Sequence, residues 1–180
     1  MPSLAHQFQD AAKDWINQTM GDESPSSLLA RSKQSIAIKL LTRFVGQNIP
    51  FATRNGFEVQ DYRPGYIKVG IPLKPNKNHF NAMYAGALYT VAELPGGILC
   101  LLNFDPDYYP TLAEMRMRYL KPAKSDVTIE FTLSAEELAR IQSEAKAEGK
   151  SKFELEGELK DSDGTVVALS TAHYQVRHKG

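Results

Sequence analysis

The sequence predicts an α+β domain in which an antiparallel sheet wraps around one long apolar helix. From Phe57 onward, apolar residues alternate with polar ones in six short segments, as in strands with one buried face. Between residues 80 and 104 the chain is instead apolar on nearly every helical face, as in a helix buried on all sides. No repeat or linker divides the 180 residues into two cores, so one sheet must cover that helix.

Composition excludes several classes of protein. The chain is 42% hydrophobic and 23% charged, which is enough apolar surface for a folded core and argues against disorder. Its 21 basic and 21 acidic residues give a formal net charge of zero. Because no basic field is available to bind a polyanion, we expect no nucleic-acid partner.

Cysteine, histidine and hydropathy patterns favour a protein of the cytoplasm. The single cysteine, Cys100, rules out an intramolecular disulfide, and the four histidines are too widely spaced for a metal pair. The N-terminal residues lack the basic lead of a secretory signal. The apolar stretch Ala82–Leu102 contains Glu93 and Pro95, which favours a buried helix over a membrane span. We expect no membrane partner and no metal or organic cofactor.

Two amphipathic helices are predicted in the N-terminal part of the chain. Apolar residues recur every three to four positions in both. The first helix ends at Gly21, and the second runs from Leu29 and stops at Gly46. We assign residues 1–50 to a helical extension that packs on a domain formed by residues 51–180.

Six strands and two further helices, one of them the apolar helix, are predicted in the larger domain. The first two strands, within residues 57–73, are joined by a turn at Arg63-Pro64-Gly65. The other four strand candidates are residues 114–120, 127–133, 152–159 and 165–177. A capping box at Ser134 opens a charged helix that runs to Gly149. Antiparallel pairing is the simplest arrangement for strands in this order.

Glu93 is the one charged residue between Phe80 and Phe104. A carboxylate in a buried helix loses hydration worth several kcal/mol unless hydrogen bonds or charges compensate. Such a group marks a candidate functional site. Alternatively, Glu93 pairs with Arg116 or Arg118 of the covering sheet and contributes only to the specificity of the fold.

One segment resembles the motif of the hotdog-fold thioesterases. It runs from Asn78 to Glu93 and reads NHFNAMYAGALYTVAE. It is similar to the phenylacetate-pathway and 4-hydroxybenzoyl-CoA thioesterases, and more closely to uncharacterised thioesterase-like families. Asn78 matches the amide fifteen positions before the acid, Ala85 and Gly86 match the small-residue turn, and Glu93 matches the acid. Tyr84 stands where many members have His, and Ala85 replaces the first Gly of the turn.

A second segment, residues 118–123, reads RYLKPA and is similar to the strand-ending YLRPA of the same fold. The resemblance covers residues 57–177 and implies the hotdog fold, an antiparallel β-sheet wrapped around a long central helix. The N-terminal helices and the charged helix are then additions. The resemblance also implies an active site at the interface of a dimer.

The helix geometry agrees with what this resemblance implies. Backbone N–H groups in the first turn, at Ala85 and Gly86, are free to stabilise an oxyanion. Glu93 lies about 11 to 12 Å further along the helix, too far to reach the same carbonyl within one protomer. A second protomer could bring its own acid to the site, as the resemblance implies. Glu93 is then a general base or a nucleophile. Hydrogen bonds from Asn78 or Thr90, or helix-terminus dipoles, keep it ionised.

Side chains beside the motif are candidates for substrate binding: Tyr84, His79, Tyr89 and Thr90. Tyr108 and Tyr109 are two further tyrosines suited to an acyl pocket. Packing is the alternative role for each tyrosine, and plain solvation for His79. Cys100 has no basic neighbour in the sequence and is predicted to be an inert core residue.

We therefore predict an acyl-CoA thioesterase that acts as a homo-oligomer, either a dimer or a tetramer. Two alternatives remain open. One is an acyl-thioester dehydratase or hydratase in which His79 partners the carboxylate. The other is a non-catalytic hotdog protein that binds acyl ligands. The thiol carrier is coenzyme A or a carrier protein, and the absence of net charge favours coenzyme A.

Overall fold

The computed structural model describes residues 13–20 and 28–179. The helices in these residues are α1 (13–20), α2 (Leu28–Asn48), α3 (Pro50–Arg54), α4 (Ala85–Asn103) and α5 (Ala135–Glu148). The strands are β1 (Glu58–Arg63), β2 (Tyr66–Ile71), β3 (Tyr108–Tyr119), β4 (Val127–Thr132), β5 (Lys150–Asp161) and β6 (Val166–His178).

All six strands form one antiparallel sheet in the order β1-β2-β4-β5-β6-β3. The apolar helix α4 packs on one face of this sheet, and its side chains join those of alternate strand residues in a single core. This is the predicted α+β architecture. Strand β3 lies at an edge of the sheet and also packs against α4.

The local signals at Ser134, Gly149 and Gly65 are confirmed. The Ser134 hydroxyl accepts a hydrogen bond from the Glu137 N–H at 3.1 Å, and Gly149 ends α5 in the left-handed conformation. Gly65 has a φ of 78° in the turn between β1 and β2. Both glycines adopt a backbone conformation that other residues rarely tolerate.

The second helix is longer than predicted. The sequence predicts an end at Gly46, whereas α2 continues to Asn48 and is followed by the unpredicted helix α3. Gly46 stays inside the helix because α3 folds back against it. A Cβ at Gly46 would lie 2.2 Å from Thr53 Oγ1. The glycine therefore permits close helix packing instead of forming a C-cap.

Strand β3 also differs from the prediction, because it begins at Tyr108 and not at Glu114. Its pairing with β6 extends from Tyr108 opposite His178 to Tyr119 opposite Ala168. Pro110 is tolerated inside this strand because an edge strand has one side without ladder partners.

Helix α1 covers the C-terminal end of α4. The Asn17 side-chain amide donates to the Leu102 carbonyl at 2.7 Å, and the Lys13 ammonium donates to the Phe104 carbonyl. Carbonyls at a helix end have no partner within the helix, so these bonds satisfy that end. The predicted start of this first helix and its end at Gly21 lie outside the described residues.

Helix α4 is long and apolar enough to cross a membrane by length and composition. Most of it is buried within the fold, as in the core helix that the sequence predicts.

Candidate active site

One narrow face of α4 is left open by the sheet. Twelve of its residues are buried. The residues that remain exposed or half-buried are Ala85, Gly86, Tyr89, Glu93, Gly97, Leu101 and Asn103. From Gly86 to Leu101 these residues recur every three or four positions, and together with Ala85 they form one stripe, which we call the open face of α4. Glu93 is the one charged residue of this helix.

The Glu93 carboxyl group is half-buried, and burial raises its pKa. No described residue forms a hydrogen bond or an ion pair with this carboxylate. Arg116 and Arg118 instead line a charged cleft between strands of the sheet, so the predicted alternative of an arginine pair is not what the fold contains. The buried Tyr174 hydroxyl donates to the Glu93 backbone carbonyl and fixes the helix at this point.

The start of α4 presents two N–H groups without acceptors. Tyr84 is the N-cap and makes no side-chain capping bond. The Tyr84 carbonyl accepts from the Ala87 and Leu88 N–H groups at 3.0 and 3.2 Å. No described residue accepts from the N–H groups of Ala85 and Gly86. These donors form the positive end of the helix. Since the first turn contains no acidic residue to neutralise this end, it suits an anion.

Asn78 orders the loop that leads into α4. Its side-chain oxygen accepts from the N–H groups of Phe80 at 2.8 Å and Ala82 at 3.2 Å. The amide nitrogen of Asn78 has no partner among the described residues. It is therefore a third available donor beside the helix start.

Asn76 supports the same loop and is not evident from the sequence as a functional residue. It is buried, and its side-chain amide donates to the carbonyls of Asn55 and Pro72, each at 2.7 Å. Its own carbonyl accepts from the Tyr84 N–H at 2.8 Å. Asn76 therefore ties the N-cap of α4 to the turn after α3. Its partner Asn55 is 21 residues away in the sequence, so no local pattern identifies this contact.

A cavity of about 370 Å³ lies at the start of α4. It is lined by Asn78 and Ala85 from the first motif and by residues 119–123 from the second. The two sequence segments that resemble the hotdog thioesterases therefore meet at one place. Glu93 does not line this cavity, which agrees with its position about two helical turns away.

Three tyrosines surround the start of α4. The Tyr119 hydroxyl donates to the Ala85 carbonyl at 3.3 Å. Burial and the nearby hydroxyls of Tyr89 and Tyr84 raise the pKa of Tyr119. The Tyr84 ring lies over Gly86, since a Cβ built there would be 2.4 Å from Tyr84 Cε1. Tyr119 is missing from the predicted site residues, although it belongs to the second motif.

Other predicted residues lie apart from the acid. Thr90 is buried and its hydroxyl donates to the Gly86 carbonyl at 2.8 Å, so the predicted bond from Thr90 to Glu93 is not formed. His79 is exposed and packs on the Phe80 ring with centroids 3.9 Å apart, outside the cavity lining. Cys100 is buried and burial raises its pKa, as expected for an inert thiol.

Comparison with known proteins places the chain in a family. Residues 38–176 match the family described as Domain of unknown function (DUF4442). A crystal structure from Pseudomonas aeruginosa, described as a protein of unknown function and probable thioesterase, is 42% identical to the chain with a TM-score of 0.75. That match covers 78% of this chain and 95% of the other.

Two further solved structures are similar. A candidate thioesterase from Shewanella oneidensis is 28% identical with a TM-score of 0.64, over 79% of this chain and 97% of the other. A thioesterase from Haemophilus influenzae shares the fold at 14% identity with a TM-score of 0.63, over 78% and 90% of the two chains. No curated protein matches the chain. With its six-stranded sheet around α4, this chain belongs to the DUF4442 family and is a thioesterase-like protein of the hotdog fold.

Proposed function

We propose that this protein is an acyl-CoA thioesterase of the cytoplasm that works as a homodimer without a metal or organic cofactor. The observation that carries the proposal is the pairing of features on the open face of α4. Glu93 is a half-buried carboxylate without a partner among the described residues, and the same helix begins with the uncapped N–H groups of Ala85 and Gly86.

Helix geometry separates these two features within one protomer. Eight residues of helix place the Glu93 α-carbon about 12 Å from that of Ala85, whereas attack and oxyanion stabilisation must act on one carbonyl group. A second protomer removes this conflict. The open face of α4 lies beside β3, an edge strand with a free ladder of N–H and C=O groups. A two-fold contact through this side brings the acid of one protomer toward the helix start of the other.

The proposed chemistry uses the residues in this arrangement. Glu93 as a general base takes a proton from a water molecule whose oxygen attacks the thioester carbonyl. The N–H groups of Ala85 and Gly86 and the Asn78 amide stabilise the oxyanion. Collapse of the tetrahedral intermediate breaks the carbon–sulfur bond, and the thiolate leaves with the proton that Glu93 holds. In the alternative covalent route, the carboxylate attacks the carbonyl itself and expels the thiolate, which leaves an anhydride. Water then hydrolyses the anhydride, which restores the Glu93 carboxylate and supplies the proton that the thiolate takes up.

The test is release of free thiol from a panel of acyl-CoAs that runs from acetyl to palmitoyl and includes benzoyl. We expect wild-type protein to hydrolyse at least one of them. Glu93→Gln should lower kcat on the order of 100-fold or more, since it removes both the base and the nucleophile. The matched control is Glu148→Gln at the exposed end of α5, which should leave kcat unchanged. Equal turnover by wild type and Glu93→Gln would remove Glu93 from the mechanism.

One observation favours a second candidate function, a non-catalytic protein that binds acyl ligands. The Tyr84 ring lies over Gly86, where a thioester carbonyl has to approach. Tyr84 is 60% exposed, so its ring has room to swing aside. Binding of acyl-CoA without thiol release, by both wild type and Tyr84→Ala, would support the second candidate. Faster thiol release by Tyr84→Ala would instead identify the ring as a barrier in an enzyme.

A further inference from the structure

A second cavity, of about 400 Å³, lies at the opposite end of α4. Helices α1 and α2, the last turns of α4 and the start of β3 enclose it. Its walls are mainly apolar side chains, including Trp15, Leu40, Phe44, Leu101 and Tyr109. We call it the distal cavity.

The charged residues of the distal cavity are Lys13 and Asp105. The Lys13 ammonium already donates to the Phe104 carbonyl at the end of α4. The walls therefore suit a neutral apolar ligand, because a buried ionised group would need a counter-charge there.

An uncovered path joins Glu93 to the distal cavity along the open face of α4. Gly97 lies one turn beyond Glu93, and a Cβ added there would meet nothing within 4 Å. Leu101 lies one turn further, is 52% exposed and lines the distal cavity. Glu93, Gly97 and Leu101 thus mark a continuous uncovered strip of the helix, which a partner protomer on this face would turn into a groove.

We propose that the distal cavity binds the far end of a straight acyl chain whose thioester lies at Glu93. The inference rests on the proposed function and names its substrate class. The groove from Glu93 to Leu101 is about 12 Å long, and an extended alkyl chain spans it with roughly ten carbons at about 1.25 Å per carbon. Carbons beyond these enter the distal cavity. The substrates are therefore long-chain fatty acyl thioesters, of roughly twelve carbons or more.

Two variants fill the distal cavity and one matched variant does not. Leu40→Trp and Leu101→Trp add bulk at half-exposed positions of its wall, 48% and 52% exposed. The control is Ile36→Trp, which is 51% exposed on the same helix as Leu40 but outside the lining. All three substitutions replace an aliphatic side chain at a similarly exposed position, so they should alter stability to a similar extent.

The first measurement is kcat/KM for thiol release from butyryl-, octanoyl- and palmitoyl-CoA. In wild type, each methylene that enters the distal cavity should raise kcat/KM by up to about fourfold. Leu40→Trp and Leu101→Trp should lower kcat/KM for palmitoyl-CoA by about tenfold or more and leave that for butyryl-CoA unchanged. Ile36→Trp should change neither. Equal losses for butyryl- and palmitoyl-CoA, or no loss for either, would overturn the assignment of the cavity.

The second measurement does not depend on hydrolysis. The fluorescent fatty acid cis-parinaric acid should bind wild type and Glu93→Gln, and bind Leu40→Trp about tenfold more weakly. If no acyl-CoA is hydrolysed but this pattern holds, the proposed function fails and the cavity assignment stands. Absence of cis-parinaric acid binding to wild type would overturn the cavity assignment alone. Light scattering gives the mass of Leu40→Trp and Leu101→Trp. If that mass differs from wild type while cis-parinaric acid still binds, the surface is instead a contact between copies of the chain.

Discussion

At Glu93 the fold holds a carboxyl group where ionisation is unfavourable. Burial raises its pKa, so the folded chain binds the proton more tightly than the unfolded chain does. A carboxyl group whose folded pKa is raised makes its full contribution to the free energy of unfolding at pH values below its unfolded pKa, where it is protonated in both states. That stability is lost as the pH rises through the higher folded pKa. Such a cost at neutral pH is typical of a carboxyl group in a functional site, where activity often depends on groups that destabilise the fold.

The upward shift of the Glu93 pKa predicts how the stability of Glu93→Gln depends on pH. At pH 7 the variant should have a higher free energy of unfolding than wild type, because glutamine carries no charge to desolvate. The difference should shrink as the pH falls and vanish below the unfolded pKa of about 4.5. Urea unfolding between pH 3.5 and pH 8 measures it, with the exposed Glu148→Gln as the control. A difference that is the same at pH 4 and pH 7 would contradict the burial of an ionised Glu93.

At the scale of the element, the two adjacent glycines of α4 meet opposite surroundings. A Cβ at Gly96 would lie 2.2 Å from Cζ of Tyr174, whose ring is buried and held by its bond to the Glu93 carbonyl. A Cβ at Gly97 would point from the open face into free space. The helix therefore needs glycine at position 96 to contact the sheet, whereas within one protomer no neighbouring atom requires glycine at position 97.

These surroundings predict opposite effects for the same substitution. Gly96→Ala should lower the free energy of unfolding by about 1–3 kcal/mol, because Tyr174 has no room to move. Gly97→Ala should raise it by up to about 1 kcal/mol, the helix preference of alanine over glycine. Urea unfolding of both variants checks the prediction, and each serves as the control for the other. A similar loss in both would mean that another surface packs directly against Gly97, which would leave no groove beside it for an acyl chain.

The elements that the sequence predicts well are those with local signals. The alternating strands, the apolar helix and the capping box at Ser134 depend on residues close in sequence, and the structure confirms them. Helix α3 and the position of Gly46 inside α2 depend on the contact with Thr53, which no periodicity records. The early start of β3 depends in the same way on its pairing with β6.

In the candidate site, too, the residues that are close together in the sequence are predictable, and those that the fold brings together are not. Asn78, Ala85, Gly86 and Glu93 lie within one segment of sixteen residues and are recognisable together. Asn76 joins that segment to a distant turn, and the Tyr119 hydroxyl reaches it from the end of an edge strand. The distal cavity is built from α1, α2, α4 and β3, so its walls become evident only after the chain has folded.

At the scale of the whole molecule, the proposed site requires two chains, and the acid and the helix start come from different ones. A purified heterodimer tests this directly. It pairs Glu93→Gln in one chain with Gly86→Leu in the other, where the leucine side chain obstructs the helix start beside Tyr84. Each homodimer of these variants should be inactive. In the heterodimer one of the two sites combines an intact acid with an intact helix start, so about half of the wild-type thiol release should return.

The inverse heterodimer completes the experiment. Wild-type protein paired with a chain that carries both Glu93→Gln and Gly86→Leu places one defect in each of the two sites, so we expect it to be inactive. If the acid and the helix start instead act within a single protomer, the two heterodimers should show the opposite activities. The wild-type chain would then keep its own site and about half of the activity, and the pair of single variants would have none. Light scattering must show the mass of a dimer for every species, because dissociation alone would also abolish thiol release.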